Sequence, residues 1–395
     1  MSPRRDLLKA AAVLTGGAAL SAKTSRSAVL AFVGTYETKA SRSGILVYEV
    51  APQTGALSRR DFFPHHFNPF WLALSASGEF LYTANETGTF EGRKTGAVSA
   101  FAIERDSCRV SWLNDVDSQG TGPAHLSIHP SGRYVFVANY DGGNFAVLPV
   151  LPDGRLGAAT DCRGGDGAAG PERAAASAPP GSYAISGHDA PHPHMIQSDP
   201  SGRYVLGADL GLDRILIWKF DEQTGKLTPN DPASVSLPPG DGPRHFVFHA
   251  NRRWLYSIQE EASTIVLFDF DAASGRLSQR QTVSSLPHGF TGTSFASEIL
   301  VSSDSRFVYA ANRLHDSITA FSIGDDGTLS FAEETWTRGD YPNLVNFDPG
   351  GAFLYSCNQR SDAITSFRVN RRTGRLTFTG QYTPVPAPSS IVFLS

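Results

Sequence analysis

His245-Phe-Val-Phe-His249, a turn, Trp254-Leu-Tyr-Ser-Ile-Gln259, Thr264-Ile-Val-Leu-Phe-Asp269, Ser274-Gly-Arg-Leu277 and Gln281-Thr-Val283 form the stretch that decides the fold. β-branched and aromatic residues alternate in short runs bounded by Gly, Asn and Asp, which is strand chemistry, and no long stretch of the chain downstream of its N-terminus has a helical period. The second phrase recurs as Phe80-Leu-Tyr-Thr-Ala-Asn85, Tyr134-Val-Phe-Val-Ala-Asn139, Tyr204-Val-Leu-Gly-Ala-Asp209, Phe307-Val-Tyr-Ala-Ala-Asn312 and Phe353-Leu-Tyr-Ser-Cys-Asn358. A repeat at roughly 50 residues signals one supersecondary unit copied around an axis, because a lone four-stranded sheet cannot bury both faces.

Copies open near Val29, Asn68, Gly122, Pro193, Pro243, Ser297 and Pro342. A short further start, Pro388-Ser-Ser-Ile-Val-Phe-Leu394, has no partner strands of its own, while the first copy, opening on Leu30-Ala-Phe-Val33, lacks the preceding strand. Joining the two closes the ring and removes a free edge. The expectation is all-β: a seven-bladed β-propeller of four-stranded antiparallel blades over residues 28–395, closed by the C-terminal strand. The 38 glycines, 25 prolines and 41% hydrophobic content suit one large closed array. A net charge of -4 gives no reason to propose a nucleic-acid partner.

Residues 1–27 carry a separate signal. Pro3-Arg4-Arg5-Asp6-Leu7-Leu8-Lys9, the apolar run Ala10 to Leu20 and the small residues Ser21-Ala22 look like a twin-arginine export peptide. The run is too short and mild for a stable membrane anchor. The expectations are recognition by the twin-arginine export machinery, a mature chain starting near Lys23 and a periplasmic or secreted location. Cys108, Cys162 and Cys357 are too few and odd in number for a disulfide framework. Cys357, inside a strand phrase, is expected to be a small core residue. Gly157 to Ala190, rich in Gly, Ala, Ser and Pro, interrupts the rhythm as a loop insertion between the third and fourth copies, either a plain surface loop or a flap over the active face.

Topology locates the chemistry. In an antiparallel hairpin the start of the first strand and the end of the second lie at the same end, so in a propeller both crowd one mouth of the channel. Blade four brings His192, His194 and Asp209 there; blade five Arg244, His245, Gln259, Glu260 and Glu261; blade six Glu298, Asn312 and Arg313; blade seven Asn343, Asn358 and Gln359. Blades two and three add Asn68, Asn85, Glu86, His125 and Asn139. The Asn, Asp or Gln ending every phrase is scaffold, bonding nearby backbone. Residues that depart from the repeat, namely His194, Arg244, Glu260, Glu298 and Arg313, are the candidates for function.

Pro193-His194, Gly242-Pro-Arg-His245, Gln259-Glu260, Ala296-Ser-Glu-Ile299 and Asn312-Arg313 with Asp316-Ser-Ile318 resemble the propeller lactonase family over about residues 28–394. That family includes bacterial propeller-type 6-phosphogluconolactonase and fungal carboxy-cis,cis-muconate cyclase. The resemblance implies a carboxylic ester hydrolase that opens a small sugar or sugar-acid lactone without a cofactor. It assigns His194, Arg244, Arg313 and Glu260 as catalytic. His192, Asp209, His245, Glu298 and Asn343 are expected to bind substrate. Lactone hydrolysis needs an activated water, oxyanion stabilisation and a proton for the leaving alkoxide. His194 is assigned as general base or acid, on the expectation that it titrates near neutrality. Glu260 orients it or is itself the base. Arg244 and Arg313 suit an anionic group and the oxyanion, with Glu298 and Asp209 expected to hold them.

No Gly-x-Ser-x-Gly elbow is present for a covalent route. An exported chain would not meet a cytoplasmic phosphorylated sugar lactone, which favours unphosphorylated or aromatic-catabolism lactones. Gln259 replaces the Asn more usual in the family before the glutamate. Three alternatives stand beside the hydrolase: muconate cyclase-type activity, a non-catalytic binding platform, and a metal site built from His188, Asp189, His192 and His194.

Overall fold

The computed structural model describes residues 28–395 apart from 66, 166 and 186, so the expected export signal lies outside the described residues. Seven four-stranded antiparallel sheets follow one another round an axis. Blade five runs Pro243–Phe248, Trp254–Gln259, Thr264–Asp271 and Arg276–Ser284, so its fourth strand starts earlier than the apolar pattern alone indicates. Among the described residues the helical content is one 3-10 turn, Gln359–Ser361.

The ring closes as the lone C-terminal phrase requires. Pro388–Leu394 pairs antiparallel with Leu30–Thr35 as the innermost strand of blade one, from Leu30 opposite Leu394 to Thr35 opposite Pro388.

Apolar faces of neighbouring blades meet in seven clusters. Cys357 lies in the one joining blades seven and one, with Val33, Tyr48, Phe353, Tyr355 and Ile391, and is fully buried. Each large side chain buried there is worth about 1.5–3 kcal/mol.

The two repeated sequence signals, the aromatic phrase and the Gly-x-Leu turn, prove to be partners across blade interfaces. Tyr82 donates to the Gly154 carbonyl at 3.1 Å, and Tyr256, Tyr309 and Tyr355 donate to Gly327, Gly374 and Gly55 at 2.8 Å, each reaching the outer turn of the following blade. The aromatic opening each of these phrases packs against the turn glycine, so that a Cβ on Gly327 would sit 2.6 Å from the Trp254 ring. Between blades one and two the pairing changes: the phrase opens on Leu30 and the turn carries Cys108 at φ 55, both in one apolar cluster.

The insertion does not stay outside the fold. Asp161–Gly164 forms the outer strand of blade three. The remainder runs along the rim past blades four to six: Gly170 donates to Gly211 at 2.7 Å, Ser177 bonds Asp241, and Gly292 donates to Pro180 at 2.9 Å.

Candidate active site

Two recurring blade positions build the site. Six innermost strands open on proline, which has no N–H to lose at a strand start; beside Pro388 of blade one, five more line up in the same way. These five pair with the polar residue ending the second strand: Pro69 with Asn85, Pro123 with Asn139, Pro193 with Asp209, Pro243 with Gln259 and Pro342 with Asn358. Pairing resumes only two residues later, which makes the residue after each proline a β-bulge that leaves the sheet. Those bulged residues, Phe70, Ala124, His194, Arg244 and Asn343, line a cavity at one mouth of the channel. Blade six has Ala296 in place of proline and an irregularity spanning Ser297 and Glu298. The second contributor is the residue just after the phrase: Tyr36, Glu86, Tyr140, Glu260, Arg313 and Gln359 line the same cavity. Gly122, Asp141 and Tyr341 complete it, and its volume is about 220 Å³.

The polar residues ending the phrases act inside the blades. Asn312 donates to the Ser285 carbonyl at 2.9 Å, Asn358 to Thr365 Oγ1 at 2.9 Å, and Gln259 to the Ser257 carbonyl at 2.9 Å; all three are fully buried.

Glu260 joins the two arginines. Its Oε2 lies 2.8 Å from Arg244 Nε and 2.6 Å from Arg313 Nη2. Arg244 also donates to the Ser297 carbonyl and to Asn343 Oδ1, the latter at 3.4 Å. Arg313 donates to Tyr341 Oη at 3.1 Å and lies over the Tyr341 ring, 5.1 Å from its centre. A guanidinium has five N–H donors, so each arginine keeps donors beyond these partners. Arg313 Nε is buried without a hydrogen-bond partner.

His194 is paired with a second histidine. Its Nδ1 lies 3.2 Å from His245 Nε2, and His245 Nδ1 lies 3.1 Å from Glu298 Oε2. Burial, then the Arg244 guanidinium, His245 and Arg313, hold the His194 imidazole well below its ordinary pKa, so it is neutral at pH 7 rather than half-titrated. His245 is lowered in the same way by burial and Arg244. Burial pushes Glu298 up to about 8, against the pull of Arg244.

Glu298 therefore departs from its expected role: it orients His245 instead of holding an arginine. Asp209 departs too. Its Oδ1 accepts the N–H groups of His192 and Leu212 at 2.8 and 3.1 Å, which ties down the blade-four turn. His192 stacks on Tyr140 at 4.3 Å and bonds Asp189 at 2.9 Å, behind the cavity wall. Asn343 lines the cavity and steadies Arg244. Of the four residues considered for a metal, Asp189 and His192 bond each other, while His194 and His188 have other partners. His188 is clamped between Asp213 at 3.1 Å and Glu261 at 2.7 Å. Among the described residues no three His, Cys, Asp or Glu side chains are gathered as a metal site.

Sequence reading passed over Tyr36, Phe70, Tyr140, Asp141 and Tyr341. The available signal was positional: the residue after each blade-opening proline and the residue after each phrase. Opposite the arginines, Tyr36 Oη donates to Glu86, whose carboxyl is raised by burial, with Tyr36 opposing and Asp141 reinforcing. Below the cavity Trp71 packs on His125 at 4.4 Å and on His245 at 5.1 Å, forming a waist in the channel. Glu298 lines a second, mainly apolar chamber of about 360 Å³ beyond it.

A seven-bladed propeller with a charged cavity at one channel mouth is the class of protein these features define. The chain belongs to the family described as Lactonase, 7-bladed beta-propeller, whose pattern matches residues 30–393. It is 32% identical over 366 residues to a 6-phosphogluconolactonase of Bacillus subtilis, covering 92% of this chain and 98% of that one. A 6-phosphogluconolactonase of Formosa agariphila is 27% identical, over 91% and 98% of the two chains. Among solved structures, a periplasmic gluconolactonase of Pseudomonas aeruginosa superposes with a TM-score of 0.84 at 30% identity, covering 93% of this chain and 99% of that one.

Proposed function

We propose that this protein hydrolyses the ester of an unphosphorylated aldonolactone, a single sugar ring, at the cavity between His194, Arg244 and Arg313. The observation that carries the reading is the convergence of both guanidiniums on Glu260 beside a neutral, buried imidazole. A volume of about 220 Å³ lies below the ~300 Å³ at which pockets for larger ligands begin, and suits a single-ring molecule. One positive charge of the two is already balanced by Glu260, and the facing wall carries Glu86 and Asp141. That wall accepts hydrogen bonds from sugar hydroxyls and opposes a phosphate dianion. The B. subtilis and F. agariphila relatives bear the name of the phosphorylated substrate, the P. aeruginosa neighbour that of the unphosphorylated one.

In this reading, free N–H donors of Arg244 and Arg313 hold the carbonyl oxygen, strengthening their bonds as negative charge develops there. Glu260 fixes the spacing of the two donors. His194 takes a proton from the attacking water as the new C–O bond forms, and returns one to the ring oxygen as the ester bond breaks. The product is the open hydroxy acid. The twin-arginine motif, Arg4-Arg5, fits an exported enzyme meeting such a lactone outside the cytoplasm. Replacing both with lysine should leave the protein in the cytoplasmic fraction of an expressing host.

The test is proton release at constant pH from glucono-1,5-lactone, its 6-phosphate and a muconolactone. The expected result is enzymatic turnover of the first in excess of the second, abolished in both His194→Ala and Arg244→Ala. Background rates for all proteins on all three compounds would overturn the reading.

A further inference from the structure

His194 stands where a proton-accepting histidine has the least to gain from becoming a cation. Arg244, Arg313 and His245 surround it as neighbours, and the group is buried. An imidazolium there would meet two fixed positive charges in a poorly solvated place. The hydrogen-bonded chain behind it offers a way round. His194 Nδ1, His245 Nε2, His245 Nδ1 and the Glu298 carboxylate lie in sequence at 3.2 and 3.1 Å, crossing the waist from the upper cavity to the lower chamber. Glu298 is held by the Ile299 N–H on Oε1 at 3.0 Å, and His245 is braced by Trp71 and His125.

We propose that His245 and Glu298 are positioning residues that set the His194 tautomer and carry the water's proton across the channel waist onto the Glu298 carboxylate. This rests on the reading of His194 as the base of lactone hydrolysis.

With Glu298 ionised, His245 Nδ1–H donates to the carboxylate, so His245 Nε2 is an acceptor. His194 Nδ1–H then donates to it, which leaves a lone pair on His194 Nε2. As the water oxygen bonds the carbonyl carbon, its proton passes to Nε2. The Nδ1 proton of His194 moves to His245 Nε2, and the Nδ1 proton of His245 moves to Glu298. The carbonyl π pair goes to oxygen, between the arginines. Both imidazoles end neutral, and the only new charge is the oxyanion. When the adduct collapses, the ring oxygen leaves with the ester electron pair and takes a proton from His194 Nε2. The chain runs back, and Glu298 is again a carboxylate. Atoms and charge balance as water plus lactone giving hydroxy acid.

The pH dependence follows from the far end of the relay. The charged and titratable groups facing Glu298 are Arg244 and His245; those facing His245 are Glu298, Arg244, Glu260, Arg313, His125 and His194; those facing His194 are Arg244, Arg313, His245 and Tyr140. Burial leaves Glu298 titrating at about 8. Below that pH the carboxyl proton reverses every bond in the chain, and His194 presents an N–H instead of a lone pair. Turnover should therefore rise with pH through about 8.

The experiment is kcat and KM against pH for wild type, Glu298→Gln and His194→Ala, with spontaneous hydrolysis subtracted. Glu298→Gln should lose roughly 10²–10³-fold in kcat, with KM changed less than about twofold, and should lose the rise with pH. Wild-type kcat in Glu298→Gln, or an unchanged rise, would overturn the relay while an inactive His194→Ala leaves the hydrolase reading standing. Activity in His194→Ala would instead sink that reading. Should Glu298→Gln fail to fold, nitrogen-15 NMR of wild-type imidazoles decides the matter. The tautomers of His194 and His245 should reverse together across the pH of the rise, and tautomers that stay fixed would refute the relay.

Discussion

At the residue scale the decisive side chain is Glu260, a single carboxylate oxygen serving two buried guanidiniums. Removing one member of a buried ion pair costs more than the pair contributes, because the partners stay charged and desolvated. Glu260→Gln keeps the shape and removes the charge, leaving Arg244 and Arg313 facing each other. Unfolding in denaturant should show a loss of about 3 kcal/mol, partly recovered on adding sulfate. Turnover should fall as well, since the two donors lose their common anchor. A variant as stable as wild type and indifferent to sulfate would mean that the arginines do not depend on this carboxylate. Sequence reading singled out Glu260, Arg244, Arg313 and His194, which line one cavity, because each breaks a repeat. It misassigned Glu298 and Asp209, since which carboxylate meets which cation depends on side-chain direction across three blades.

At the element scale the blade is a repeated contract between a phrase and a turn. The aromatic of one blade covers the turn glycine of the next, and a tyrosine hydroxyl closes on the turn carbonyl. Gly327 has φ +88 and no room for a side chain against Trp254, so Gly327→Ala meets both backbone strain and ring overlap. The expected cost is about 1–3 kcal/mol in denaturant unfolding, with kcat unchanged, because this turn is at the end of the blade away from the cavity. Equal stability of the variant would show the interface to be looser than these contacts require. The aromatic phrase and the Gly-x-Leu turn were both visible in the sequence. That they meet across blades was not, since roughly a blade and a half of chain separates Tyr256 from Gly327.

At the scale of the whole molecule, closure is the main stability device. A chain ending at Ala387 would lose Pro388–Leu394, exposing the backbone edge of Leu30–Thr35 and opening the core around Ile391. Unpaired edges template association. The truncated protein should appear mainly in the insoluble fraction, or scatter light well below the wild-type unfolding temperature. A soluble, cooperatively folding truncation would show that six complete blades hold the ring without the closing strand.

Local chemistry alone was enough to read strand, turn, repeat number and closure here, because alternating apolar residues, turn glycines and an orphan terminal strand each constrain the backbone within a few positions. The same reading reached the mouth of the channel, since hairpin topology brings strand starts and strand ends together. What only tertiary structure decided is the wiring inside that mouth: a proline-set bulge in five blades aims one residue into the cavity, Glu260 takes both arginines, and Glu298 backs two histidines. Glu260 with Arg313, His194 with His245 and His245 with Glu298 join residues from different blades, and their geometry depends on how seven sheets are inclined about one axis, a property of the assembled ring that no single stretch of chain encodes.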